Sequence, residues 1–141
     1  MSSESENLSD DHTIHPQTEL WRRVANDPNL VKYDEKLKCL RPTSAAFKRH
    51  PSNNAISVHI ADIVIEYGLS AHDIAQNQYL VSLTAEKVRT HDLGIAKTPK
   101  PNDPSHADNF DKQNRSKTNF KEVQRVLAKD CEWEIGPSAS G

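Results

Sequence analysis

Short apolar runs recur along the chain, and most of them have the length and spacing of β-strands. Within these runs apolar residues either alternate with polar ones or follow each other directly, which is typical of half-buried and buried strands. We assign strands to the runs at 20–24, 30–33, 55–58, 79–83 and 93–96, and an edge strand to 132–135.

Helical spacing follows several of these strands. The strand at 55–58 runs into a predicted helix over 59–67, and Gly68 stands where a helix commonly ends. Two shorter helices are predicted to begin after Ser70 and Thr84, because a hydroxyl side chain at that position can accept a hydrogen bond from the first turn.

The clearest helical pattern lies near the end of the chain. Asn119 and Glu122 resemble a capping box, so we place the start of the helix there. Its apolar face carries Phe120, Val123, Leu127 and Cys131 at helical spacing. Together these elements predict an α+β fold: a small mixed or antiparallel sheet with short helices and a C-terminal amphipathic helix.

Polar segments without periodicity divide the chain. Residues 1–16 have almost no apolar content and are predicted to form a disordered acidic arm. Residues 17–135 are expected to form a single compact α+β domain, and 136–141 a flexible tail. Inside the domain, three prolines make 98–104 a loop, and the polar stretch 108–117 is expected to be loose.

Charge is unevenly spread. The net charge is −2, and residues 1–11 hold four acids and no base, so the remainder is close to +2. This excludes a uniformly basic nucleic-acid binder. Two local stretches are basic: Lys32 to Arg49 holds six bases and two acids, and Lys97 to Lys129 holds eight bases and four acids. Solvated surface is the simpler interpretation of both.

The turn from Arg41 to Ser44 is the first candidate site. A guanidinium is suited to phosphate or carboxylate, and the Ser44 hydroxyl with nearby backbone N–H groups could complete an anion pocket. In the structural alternative, Arg41 ties the loop to Asp34 or Glu35 and Ser44 only caps the backbone.

His106 is the second candidate, because a rigid proline turn precedes it. It could act as a general base or a hydrogen-bonding anchor, or it could bond to the backbone for structural reasons alone. The pair His12 and His15 lacks further ligands at a fixed distance. Cys39 and Cys131 give no disulfide or metal framework. We therefore expect no metal and no cofactor.

The order of segments carries a resemblance. The segments, in order, are Leu20-Trp-Arg-Arg23, Arg41-Pro-Thr-Ser-Ala-Ala-Phe47, Leu93-Gly-Ile-Ala96 and Pro104-Ser-His-Ala107, and a Lys-rich final helix that ends in Ala-Lys-x-x-x-Trp extends the order over residues 20–135. This order resembles a group of small bacterial proteins of unknown function with an RPSSxxF-type segment and a downstream PxHA segment, although Thr43 stands where serine is commoner. The resemblance implies a cytosolic bacterial protein with a compact α+β fold.

Three functions are compatible with these features. The leading hypothesis is a non-enzymatic protein-binding or adaptor module of a bacterial multi-protein system, located in the cytoplasm. The alternative is a small enzyme that acts on a phosphate-bearing or nucleic-acid substrate through Arg41, Ser44 and His106. A direct nucleic-acid binder is the third, in which Trp21 and Phe47 stack on bases. The sequence contains no apolar run long enough to span a membrane, so we expect no membrane partner.

Overall fold

Residues 8–137, which the computed structural model describes, form a six-stranded antiparallel sheet, a two-stranded hairpin and four α-helices. In chain order the elements are β1 (Glu19–Val24), β2 (Val31–Asp34), β3 (Cys39–Pro42), a 3₁₀ helix (Ser44–Phe47), β4 (Ala55–Ile60), α1 (Ala61–Glu66), α2 (Ala71–Ala75), β5 (Tyr79–Thr84), α3 (Ala85–Thr90), β6 (Leu93–Lys97), β7 (His106–Asp111), α4 (Lys117–Asp130) and β8 (Glu132–Ile135). The strands of the sheet lie in the order β6-β7-β4-β1-β5-β8, and the hairpin pairs β2 with β3. The predicted α+β class is confirmed.

The two faces of the sheet are covered by different helices. Leu20 and Val24 of β1 point to the face on which α4 and the 3₁₀ helix pack with Phe120 and Phe47. Trp21 points to the opposite face, which α1 and α2 cover. Burial of each large apolar side chain contributes about 1.5–3 kcal/mol to folding, so both faces stabilise the sheet.

The sheet opens between β1 and β4. All six residues of β1 pair with β5, but only Leu20 and Trp21 pair with β4, opposite Ile60 and His59. Beyond that point the side chain of Arg22 extends across the opening, and its Nη1 donates to the backbone oxygen of Ser57 at 2.7 Å. A side chain therefore supplies the hydrogen bond that a neighbouring strand would otherwise make.

The stretch 108–117 is not loose, which corrects our expectation. Its first residues belong to β7, the second strand of the sheet, and Asp108, Asn109 and Asp111 are buried there. The carboxylate of Asp111 accepts hydrogen bonds from the backbone N–H and the guanidinium of Arg115. Asp111 can occupy a buried strand because its carboxylate finds these partners, which polarity alone does not reveal. Asp108 Oδ1 and Asn109 Oδ1 are also buried, and they make no hydrogen bond with residues 8–137.

The last helix has its N-cap three residues earlier than the sequence suggested. Ser116 is its N-cap, and the Ser116 hydroxyl accepts from the N–H of Asn119 at 3.1 Å. The predicted start at Asn119 is wrong, and Glu122 pairs with Arg125 on the helix surface instead of closing a capping box. Both Ser116 and Asn119 are residue types that commonly cap helices, and the Ser116 hydroxyl is the group that accepts from an orphan N–H of the first turn.

Residues 8–16 pack on the domain, which corrects the predicted disordered arm over that range. Ile14 is 4% exposed and belongs to the core. The carboxylate of Asp10 accepts hydrogen bonds from Arg89, Lys112 and the backbone N–H of Ile95. The segment thereby covers the edge strand β6 with a buried ion pair that composition does not reveal. Residues 1–7, and 138–141 of the predicted tail, lie outside the described residues.

Candidate functional site

Arg41, the first predicted site residue, holds the end of α4. Its Nη2 donates to the backbone oxygens of Ala128 at 3.0 Å and Cys131 at 2.7 Å. Arg41 therefore ties its loop to helix carbonyls, and not to Asp34 or Glu35 as the structural alternative predicted. Burial raises the pKa of the Cys131 thiol to about 11, although Arg41 opposes this shift. Arg41 is thus a structural residue whose donors are directed at orphan carbonyls of a helix terminus.

Ser44 and Trp21 have different environments. Ser44 begins the 3₁₀ helix with an exposed side chain, and its backbone oxygen accepts from Gln124 of α4. The Thr43 hydroxyl donates to Asn29 and makes no cap to the 3₁₀ helix. Trp21 is 6% exposed and packs in the core, as Phe47 does on the other face. Neither aromatic ring is available to stack on a base.

His106 lies in a buried polar network. His106 Nδ1 is 2.8 Å from the hydroxyl and 3.1 Å from the backbone oxygen of Thr98. Its cross-strand neighbour His59 has Nδ1 3.2 Å from both Asp103 and Ser105. Burial lowers the pKa of His59, and the Asp103 carboxylate opposes this shift. The network ties β4 and β7 to the loop before β7.

The predicted site residues do not converge. His59 pairs with Trp21 on one side and with His106 on the other, and directly paired residues of antiparallel strands share a face. His106 and Trp21 therefore share the face that α1 and α2 cover. Arg41 and Ser44 contact α4, which packs on the opposite face. The sheet separates the two groups, and general acid–base chemistry needs hydrogen-bond reach.

A large cavity with a cationic lining lies beside Ser44, at the opening between β1 and β4. We call it the basic pocket; its volume is about 1020 Å³. None of the described residues that line it is acidic, and five are lysine or arginine. Its lining consists of Arg22, Ser44, Ala45, Lys48, Arg49, His50, Pro51, Asn54, Ala55, Ser57, Lys117, Lys121 and Gln124.

The basic pocket unites the two basic stretches of the sequence. Lys48 and Arg49 end the first stretch, and Lys117 and Lys121 belong to the second. Lys117 and Lys121 are one turn apart on α4, so both side chains lie on the side that borders the pocket. The separate stretches suggested solvated surface, and only the packing of the 3₁₀ helix against α4 brings them together.

Arg22 is the cation of the pocket that sequence reasoning missed. Nε donates to the oxygen of Ala46 and Nη1 to that of Ser57, both at 2.7 Å. Among residues 8–137 no carboxylate lies within ion-pair distance of it. Burial, and to a smaller degree the charge of Arg23, lowers the Arg22 pKa to about 10, so the side chain stays charged at neutral pH. The sequence did offer one signal of a special role: Arg22 lies between Leu20 and Val24, two residues of the same strand that face the core.

Arg49 adds a second buried cation that is only partly neutralised. Its side chain is 8% exposed, and the guanidinium lies 4.0 Å from the centroid of the Phe120 ring. Nη1 is 3.6 Å from Asp111 and makes no hydrogen bond. Asp111 also pairs with Arg115 at 2.6 Å, so one carboxylate serves two guanidinium groups. Burial lowers the pKa of Arg49, which Asp111 opposes. The trio carries one net positive charge.

The pocket is built to attract an anion. A buried cation without a carboxylate is costly, because desolvation of the charge is not compensated. Arg22 leaves its charge unneutralised beside a cavity, and exposed lysines surround the same cavity. His50, the imidazole of the lining, accepts from the N–H of Ser52 through Nδ1 and thereby orders its own turn. Phosphate and carboxylate groups are the ligands that such guanidinium donors bind best.

Residues 8–137 contain neither a metal-binding cluster nor a membrane-spanning helix. No group of three or more His, Cys, Asp or Glu side chains in this part of the chain is arranged to hold a metal ion. None of its helices has the length and apolar character needed to cross a membrane.

Comparison with known proteins adds no family. The chain matches no protein-family model, no curated protein and no solved structure. The resemblance to the small bacterial proteins stays a prediction.

Proposed function

We propose that this protein is a non-enzymatic binding module whose ligand carries phosphate and is held in the basic pocket. The observation that supports this most is the half-buried Arg22 guanidinium, which borders the cavity and has no carboxylate partner within residues 8–137. A phosphate would provide the missing counter-charge and accept charge-assisted hydrogen bonds. The resemblance supports placing the module in the bacterial cytoplasm.

Titration calorimetry with inorganic tripolyphosphate tests the proposal. The wild-type protein should bind it, and Arg22→Gln should weaken binding at least about tenfold, because one charge-assisted hydrogen bond contributes about 1.5–3 kcal/mol. Lys36→Gln is the matched control, since it removes the same charge from the exposed hairpin turn. Its affinity should equal that of the wild type.

A second variant covers the case in which Arg22→Gln does not fold. Lys117 and Lys121 are exposed, so the double variant Lys117→Gln/Lys121→Gln should fold and still bind tripolyphosphate more weakly than the wild type. The proposal is overturned if the wild type binds no tripolyphosphate, or if the double variant and Lys36→Gln bind it equally well.

A protein partner is a second candidate, which the β2–β3 hairpin favours. Tyr33 is 58% exposed and stands directly opposite Leu40, which is also exposed. Adjacent exposed apolar side chains commonly mark interaction surfaces. Lys32, Asp34 and Glu35 are their neighbours in the sequence, so the surface fits a partner with apolar side chains flanked by charges of both signs.

Reconstitution tests this candidate. A partner that is co-purified with the wild type and identified by mass spectrometry should bind purified wild-type protein and Lys48→Gln, and should lose binding to Tyr33→Ser/Leu40→Ser. Equal binding of the partner to that double variant would exclude the hairpin as the docking surface.

A further inference from the structure

We infer that the basic pocket binds the terminal phosphate of a single-stranded nucleic acid. The exposed lysines of the pocket, Lys48, Lys117 and Lys121, bind the phosphates of the adjoining backbone. This inference rests on the proposed function, because it names the class of phosphate-bearing ligand. Three observations carry it: the charge of the buried cations, the distribution of the exposed ones and the size of the cavity.

The buried charge matches a terminal phosphate. Arg22 contributes one positive charge, and the trio of Arg49, Arg115 and Asp111 contributes one more. A phosphate monoester carries about −1.5 to −2 at neutral pH, whereas an internal phosphodiester carries one charge. Since an uncompensated buried charge is costly, the monoester is the better counter-ion for this pair.

The exposed cations provide contacts for more than one phosphate. Lys48, Lys117 and Lys121 line the same cavity with exposed side chains, and none of them is among the ion pairs of residues 8–137. A single terminal phosphate neutralises the buried cations and leaves these three. Further phosphates of a backbone would neutralise them, as in the positively charged grooves that follow single strands.

The cavity has room for nucleotides beside the terminal phosphate. Its volume of about 1020 Å³ is at the upper limit of small-molecule pockets, which measure about 300–1,000 Å³. Asn54 offers its amide group to a base or a sugar, and Gln124, whose nitrogen donates to Ser44, offers its amide oxygen. Pro51 offers apolar surface to a ring. The bases of a duplex are already paired and stacked, so the unpaired end of a single strand is the form that can enter.

Fluorescence anisotropy with short labelled oligothymidylates tests the inference. The strands are identical except for their ends: a 5′-phosphate, a 3′-phosphate or hydroxyl groups at both ends, with the dye at the opposite end or on an internal base. One of the phosphorylated strands should bind at least about tenfold more tightly than the hydroxyl strand, the equivalent of one charge-assisted hydrogen bond. An RNA strand of the same design shows whether the sugar matters.

Variants distinguish the terminal-phosphate position at Arg22 from the exposed lysines of the pocket. Arg22→Gln should remove the preference for a phosphorylated end and leave the affinity for the hydroxyl strand nearly unchanged. Lys117→Gln/Lys121→Gln should weaken all strands while the preference for the phosphorylated end persists. Arg22→Lys keeps the charge and should retain part of the preference, and Lys36→Gln is the control away from the pocket.

Each contrary outcome is distinguishable. Equal affinity for phosphorylated and hydroxyl strands overturns the terminal-phosphate inference, and the proposed function stands if tripolyphosphate still binds. A blunt duplex that binds as tightly as the phosphorylated strand overturns the single-strand part. Binding of thymidine monophosphate as tight as that of the phosphorylated strand points to a nucleotide ligand and overturns the backbone part. If tripolyphosphate and every strand fail to bind, both proposals fall.

Discussion

Replacement of Arg41 by alanine should destabilise the fold. The guanidinium connects strand β3 to the end of helix α4, where Nη2 donates to the backbone oxygens of Ala128 and Cys131. These carbonyls belong to the last turn of the helix and the residue after it, which lack partners within the helix. Alanine at position 41 would leave both acceptors without this donor.

The expected loss can be worked out from the contacts. A hydrogen bond from a charged donor contributes about 1.5–3 kcal/mol, and a cation at a helix C-terminus about 0.3–1 kcal/mol. Because one nitrogen serves both oxygens and water can replace it in part, we expect a total of about 2–4 kcal/mol. This is a large share of a typical domain stability of about 5–15 kcal/mol.

Urea unfolding followed by circular dichroism measures this loss. Arg41→Ala should lower the free energy of unfolding by the stated amount, and Arg41→Lys by less, because a lysine keeps the charge and loses the planar fork. Lys38→Ala, on the exposed turn of the same hairpin, should stay within about 0.5 kcal/mol of the wild type. The folded fraction of Arg41→Ala should bind tripolyphosphate normally. An unchanged unfolding midpoint for Arg41→Ala would refute the reasoning.

Three further changes test the packing and the edge of the sheet. Leu127→Ala removes a fully buried side chain of α4 and should cost about 2–5 kcal/mol in urea unfolding, and a cost near zero would mean that this face of α4 is not in the core. Gly94→Ala places a methyl group against the Phe110 ring and should cost about 1–3 kcal/mol; Phe110→Ala in the same chain should recover part of the cost, and additive losses would contradict the contact. Burial raises the pKa of Asp10, but hydrogen bonds from Arg89, Ile95 and Lys112 outweigh it and hold the pKa below its ordinary value of 3.8. Asp10→Asn should therefore be less stable than the wild type at neutral pH, and the difference should shrink as the pH falls below 3.8; a difference that does not depend on pH would contradict the ion pair.

Local signals predicted the local elements well. Thr84 caps α3 by accepting from the N–H of Lys87, and Ser70 and Asp73 form the capping box of α2. The strands at 20–24, 79–83 and 93–96 are confirmed within a residue or two. These signals act over a few residues, so the sequence carries them directly.

Long-range contacts account for what the sequence did not predict. β7 was missed because its residues are polar and the strands that pair with it, β4 and β6, lie elsewhere in the chain. The packing of residues 8–16 depends on Arg89, which pairs with Asp10 across 79 positions. Arg41 was assigned to a site because its partner carbonyls belong to a helix end that is 87 positions away. Spacing within the sequence does not encode such pairs.

The candidate site was partly visible. The two basic stretches and Ser44 were noted in the sequence, and Ser44, the end of the first stretch and two lysines of the second border the basic pocket. Their convergence depends on how the 3₁₀ helix packs against α4, and the role of Arg22 depends on the opening between β1 and β4. Both are tertiary features, so residue type alone pointed to solvated surface.

Two-dimensional NMR of the arginine Nε–Hε groups tests the central claim most directly. Titration of the full chain with tripolyphosphate should shift the Arg22 and Arg49 signals first, together with the backbone amides of 44–57 and 117–124. The Arg41 signal should not shift, because the Arg41 guanidinium is hydrogen-bonded to the end of α4. The account is contradicted if the Arg22 and Arg49 signals stay fixed at saturating tripolyphosphate, or if the shifts cluster at the β2–β3 hairpin instead.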